Sequence, residues 1–331
     1  MPANLPPQYY ELERTFNSER DPKEKLRLAE EMLRVMPKHK GTDHLQADMK
    51  TKISKLKKQI AAPRKAGGTR QATLADHVER EGAGQIVLIG PPNSGKSSLV
   101  DALTNAEPLI ADYPYSTREP LTGMMDYDTI QIQLIDTPPI SEDQYENYLS
   151  NLIRNADVVL LVCDLADPKM LERIDVVTSR LDEKRIILKP EAEEQPEDPR
   201  YKIQKTIICG HKEYEDESGA MTAKLKERFE GFTIVGTSIL DDVSLERLKR
   251  TLFEALGVIR IYTKHVGKEV EKVDPVVLPL GGTVEDAANA IHKDFGAKLK
   301  FAKIWGEGKF DGQRVKADYV LSDEDIVEFH I

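Results

Sequence analysis

Apolar positions near the amino terminus recur at helical spacing. Leu26, Ala29, Leu33 and Met36 share one face after Asp21-Pro22-Lys23-Glu24, which supplies an N-capping acid, a proline at the first helical position and an acid three residues after the cap. Pro37 predicts a stop. A second stripe of Leu45, Met49, Ile53, Leu56 and Ile60 predicts another helix from near Asp43, with Lys50, Lys52, Lys55, Lys57 and Lys58 off the stripe. The pair reads as a helical hairpin over 1–66. Proline and paired glycines in AAPRKAGGTR then break the pattern and predict a linker, taken as 67–83.

From Gln85 the period changes. The short apolar runs QIVLIG, IQIQLID, ADVVLLVCDL, KTIICG and FTIVGTS alternate with amphipathic segments, which predicts an α/β domain with a largely parallel sheet over 84–256. Gln131 and Gln133 make IQIQLID half-polar and place it near the sheet edge. The acidic, proline-containing stretch 182–200 reads as a surface excursion. After Leu256, VIRIYTK and DEDIVEFHI read as strands and VEDAANAIHKDF as a helix, enough for a small domain over 257–331 with Trp305 in its core.

Composition narrows the class. Hydrophobic residues at 40% and charged residues at 31% fit a soluble globular protein, and no apolar run approaches the ~20 residues of a spanning helix. The amino terminus lacks the basic-then-apolar pattern of a secretory leader, so the expected location is the cytoplasm, with no membrane partner. A net charge of -10 disfavours whole-surface attraction to nucleic acid, and no DNA partner is expected. Residues 1–66 are locally basic, with 15 Lys and Arg against 9 acids, which suits either an RNA contact or a solvated helical face. Cys163 and Cys209 lie in apolar runs without a CxxC partner and read as small core residues.

The chemistry concentrates at Gly90-Pro91-Pro92-Asn93-Ser94-Gly95-Lys96-Ser97, a GxxxxGK[ST] loop between the strand QIVLI and the helical run beginning Ser97-Ser98. Amides of such a loop point at phosphate, the helix N-terminus reinforces them, and Gly95 permits close approach. Lys96 supplies the cation, and Ser97 supplies an oxygen to Mg²⁺. Asp136 ends IQIQLID, where a carboxylate orders the metal's water shell, and Thr117 lies in YPYSTREPLTG where a switch threonine reaches Mg²⁺.

With NSGKSSL, YPYSTREPLTG and Asp136 in place, the chain resembles the Obg superfamily of GTPases, especially the developmentally regulated GTP-binding proteins. IRIYTK, DPVVLPLGGTVEDAANAIHKDF, FAKIWG, QRV and DEDIVEFHI resemble a TGS domain of β-grasp fold. The glycine-rich Obg fold and the extra domain inserted in the developmentally regulated proteins are not evident. The resemblance implies an α/β P-loop G domain between an N-terminal helical hairpin and a C-terminal TGS domain. It further implies GTP and Mg²⁺ as ligands, slow hydrolysis without a partner, and a ribosome or RNA-bearing partner. Asn93 matches the loop asparagine that helps hold K⁺ in potassium-activated relatives, and loop bracing explains it equally well.

Three positions depart from the family pattern. Asp136-Thr137-Pro138-Pro139 stands for DxxG, and proline has no N–H for a γ-phosphate. Ile140 replaces the water-orienting glutamine of Ras-like enzymes. His211-Lys212-Glu213-Tyr214 stands for NKxD, with Lys212 free to pack its stem on the base and Glu213, Glu215 or Asp216 as substitute carboxylates. Gly236-Thr237-Ser238-Ile239 resembles the SA(K) loop, with Ser238 and Ile239 beside the base. Three readings stay open: a GTPase switch, an ATPase or purine-promiscuous enzyme, and a module that binds nucleotide with little hydrolysis.

Overall fold

The computed structural model describes residues 6, 12, 22–36, 53, 78–104, 120–191, 196, 198–265, 270, 272–292 and 294–330. Two compact units divide the chain at Gln71 and Ala72. In the first, helix α1 (Pro22–Val35) begins on the proline, as its fixed φ favours, and buries Ala29, Met32 and Met36 with Ile53. Apart from Ile53, the expected second helix, Pro37 and the expected linker up to residue 77 lie outside the described residues.

The second unit contains two sheets. The larger has seven strands, β1 (Gln85–Ile89), β2 (Leu121–Tyr127), β3 (Ile130–Asp136), β4 (Val158–Asp164), β5 (Ile186–Lys189), β6 (Lys202–His211) and β7 (Ile234–Thr237). Their order is β2-β3-β1-β4-β6-β5, with β7 also on β6, and every pairing is parallel except β2 with β3. Side chains alternate across this sheet with period two, so β1 sends Val87 and Ile89 to one face and Ile86 and Leu88 to the other.

Helices cover both faces. Helices α3 (Leu149–Asn155) and α4 (Met170–Glu183) pack Leu152, Ile153, Ile174 and Val177 on the first face. Helices α2 (Lys96–Leu103) and α6 (Asp242–Leu256) pack Leu99, Leu103, Leu248 and Leu252 on the second. At about 1.5–3 kcal/mol per fully buried aliphatic side chain, these two layers dominate the stability of the unit. Helix α5 (Ala220–Arg228) follows β6.

One expectation changes here. Residues 186–189 form β5, in parallel register with Ile203 and its neighbours, instead of belonging to a surface excursion; the apolar IIL pairs and packs despite its acidic surroundings. Strand β3 lies near the sheet edge as its half-polar pattern predicts, one strand in from edge strand β2, and its buried Gln133 is satisfied by the Gln85 side chain at 2.8 Å and the Glu79 carbonyl at 3.0 Å.

The smaller sheet runs β11-β10-β12-β8-β9 through β8 (Val258–Thr263), β9 (Val276–Pro279), β10 (Phe301–Trp305), β11 (Gln313–Val315) and β12 (Ile326–His330). Helix α7 (Val284–Ile291) covers one face and starts at a capping box of Thr283 and Asp286; the short α8 (Phe295–Lys298) follows. The core of this sheet is Ile259, Ile261, Ala287, Ala302, Ile304 and Val327. Trp305 is only half-buried, with Lys264 Nζ 4.7 Å from its ring centroid, and so stands outside the expected core position. Arg260, 5% exposed, ties the sheets together by pairing with Asp128 of the β2–β3 turn and with Asp323 at 2.7 Å. Tyr262 Oη and Thr129 Oγ1 add a hydrogen bond of 2.7 Å.

Candidate functional site

Parallel strands bring their carboxyl ends to one edge of the sheet, and the site forms there. Register does the gathering: Leu88 pairs with Asp136, and Asp164 pairs with His211, which pairs with Thr237. Residues up to 147 positions apart in sequence therefore surround a cavity of about 530 Å³ lined by Pro92 to Ser98, Thr137, Pro139, His211, Lys212, Tyr214 and Ile239. Gly90, Asp136 and Ser238 are outside this lining but adjoin it, Gly90 O accepting from Lys96, Asp136 from Ser97, and Ser238 preceding Ile239. Thr117 lies outside the described residues.

The loop after β1 is shaped by backbone freedom. Gly90 has φ 154° and Gly95 φ 93°, and a Cβ on Gly95 would overlap the His211 ring. Asn93 adopts φ 61°, a left-handed geometry that asparagine tolerates. Lys96 Nζ folds back over the loop and donates to Gly90 O at 3.1 Å, Pro91 O at 3.0 Å and Ser94 Oγ at 3.4 Å. Burial lowers its pKa to about 8, against the opposing pull of Asp136. A polyphosphate at the N-terminus of α2 restores the advantage of the charged ammonium.

Asp136 is buried, and burial raises its pKa although Ser97 and Lys96 oppose the shift. Its Oδ2 accepts from Ser97 Oγ at 2.5 Å, while Oδ1 has no hydrogen-bond partner among the described residues. A desolvated carboxylate with a spare oxygen beside a hydroxyl is a donor set that fits a hard divalent cation such as Mg²⁺.

The turn after Asp136 is tied to the loop. Thr137 Oγ1 donates to Leu88 O at 2.6 Å, and the Ile140 amide donates to Gly90 O at 3.1 Å. Pro138 and Pro139 carry no amide hydrogen. The Ile140 side chain is fully buried in the sheet core, so it takes no part in orienting water.

His211 is 2% exposed, its Nδ1 has no partner among the described residues, and burial lowers its pKa. Its ring braces Gly95. Lys212, in the left-handed region at φ 61°, pairs with Asp164 at 2.6 Å. Glu213 pairs with Arg247 at 2.9 Å, and Asp216 accepts from the Met221 and Thr222 amides at 3.1 and 2.8 Å. Neither stands in the cavity as a substitute carboxylate, because each answers a nearer donor. Ser238 shapes its loop: its amide donates to Ser244 Oγ at 3.0 Å, and its Oγ accepts from the Leu240 amide at 3.1 Å. Asp164 and Arg247 escaped the sequence reading. The aspartate's one signal was its place at the end of an apolar strand, and the arginine, inside a surface helix, had none.

A phosphate-binding loop after the first strand of a parallel sheet, with Lys96, Ser97 and Asp136 converging on it, defines a P-loop G domain. Residues 85–191 match the family described as 50S ribosome-binding GTPase, and residues 259–331 match the TGS domain. The chain thus combines a P-loop GTPase G domain with a C-terminal TGS domain. It is 26% identical to a GTP-binding protein of Methanocaldococcus jannaschii, over 92% of this chain and 91% of that one. It is also 26% identical to the developmentally regulated G-protein 3 of Arabidopsis thaliana, over 92% and 97%. A solved structure, the Schizosaccharomyces pombe YchF GTPase, aligns at 13% identity over 76% of this chain and 99% of that one, with a TM-score of 0.48.

Proposed function

We propose that the protein is a GTP-hydrolysing switch of the cytoplasm, slow alone, that works with the ribosome or another RNA-bearing partner through its flanking segments. The observation that carries the nucleotide reading is the cavity lined by Lys96 and Ser97, with the half-partnered Asp136 carboxylate hydrogen-bonded to the Ser97 hydroxyl. Lys96 would hold the β- and γ-phosphates, Ser97 and Thr117 would ligate Mg²⁺ and Asp136 would order its water shell, and the bound metal would neutralise charge on the transferred phosphoryl group. Relatives named as GTP-binding and a family named for 50S ribosome binding support guanine and the ribosome as partners. The basic 1–66 arm suits RNA.

Competition of GTP and ATP for labelled GTP on the full-length protein tests the base. GTP is expected to displace label at concentrations at least about tenfold below ATP; equal displacement by ATP ends the guanine reading and supports an ATPase. A second reading, a nucleotide-binding module with little hydrolysis, is favoured by one observation: after Thr137 the turn offers two prolines and an amide already held by Gly90. Single-turnover phosphate release with Mg²⁺ and either K⁺ or Na⁺, with and without ribosomes, separates the two. Release above the protein-free background in any arm supports the switch. A K⁺-specific rise assigns Asn93 to the ion.

A further inference from the structure

Telling guanine from hypoxanthine means reading the 2-amino group. That group and N1–H form a pair of donors, and a carboxylate is the side chain that accepts both. Among the described residues, no Asp or Glu lines the cavity. Of the neighbouring carboxylates, Asp164 holds Lys212 and the Ala166 amide, Glu213 holds Arg247, and Asp216 caps the start of α5, while Glu215 is exposed and does not line the cavity. Glu213 is further confined by Gly236, where a Cβ would overlap its carboxylate. What the β6 turn does present to the cavity is Tyr214, 51% exposed. A phenol oxygen is one atom and cannot serve two adjacent donors in the fork geometry of a carboxylate.

We infer that the site does not read position 2 of the base, so that its substrate class is purine nucleoside triphosphates differing at C2, with hypoxanthine nucleotides accepted as readily as guanine nucleotides. Tyr214 is the specificity-determining residue. The inference rests on the nucleotide reading of the site and widens its substrate.

The test is displacement of labelled GTP from the full-length protein with Mg²⁺, by unlabelled GTP and by ITP, for wild type and for Tyr214→Asp. Tyr214 is exposed, so its replacement leaves no hole in the core. In wild type the two nucleotides are expected to compete within about threefold, whereas Tyr214→Asp favours GTP by about tenfold or more, the effect of one hydrogen bond to a charged acceptor. A wild-type preference for GTP beyond about thirtyfold, or an unchanged ratio in Tyr214→Asp, overturns the inference and leaves the nucleotide site standing. Failure of both nucleotides to bind at millimolar concentration overturns the site itself.

Discussion

Lys96 shows how one residue carries both a cost and a function. An unfolded chain titrates this lysine near 10.5 and the folded chain near 8, so the burial penalty is complete below pH 8 and is relieved as pH rises from 8 to 10.5. Nucleotide binding has the opposite dependence, because phosphate needs the ammonium. Affinity is expected to hold steady below pH 8 and to weaken toward about tenfold per pH unit above it, with proton uptake on binding visible by calorimetry in buffers of different ionisation enthalpy. A flat affinity from pH 7 to 9.5 contradicts this. Pro139 gives a second expectation. Restoring an amide with Pro139→Gly is expected to raise the preference for GTP over GDP by about tenfold or more, the effect of one hydrogen bond to a charged group. Equilibrium binding of both nucleotides checks it.

Strands β1, β4, β6 and β7 were legible because each holds a short, nearly continuous apolar run, as burial on both faces of a parallel sheet demands, and β3 because its apolar residues alternate with Gln131 and Gln133. Edge strand β2 was not, since LTGMMDY mixes Gly, Thr and Asp and draws its order from antiparallel pairing with β3. Nor was β5, whose apolar residues are few and flanked by charges. The β2–β3 hairpin also joins the domains: it ends at Asp136 on the nucleotide side and turns at Asp128 beneath Arg260. Arg260 packs over Phe253 at 5.0 Å and answers three carboxylates, Asp128, Asp323 and Glu324. Arg260→Ala removes charge-assisted hydrogen bonds to partly exposed acids and the packing on Phe253, and is expected to destabilise the protein by about 1.5–3 kcal/mol. Denaturant melts measure the loss, and hydrogen exchange should rise in β8 and in the 127–129 turn; unchanged protection in both contradicts the coupling.

At the scale of the whole molecule, the loop Gly90–Ser97 and Asp136 could be placed from sequence because strand, glycine spacing and helix coincide there. The base side could not, since its answer depends on partners brought in by register: Asp164 takes Lys212, and Arg247 takes Glu213. No helix among the described residues is long and apolar enough to cross a membrane. The proposed function depends on a polyphosphate occupying the cavity at the carboxyl end of β1. Equilibrium binding of labelled GTP with Mg²⁺ to wild type and Lys96→Ala tests that most directly. Wild type is expected to bind, and the variant, still folded, to lose about hundredfold or more in affinity, as removal of a charge-assisted phosphate contact in a dry pocket requires. Equal binding by the two proteins, or none by wild type at millimolar nucleotide, contradicts the account.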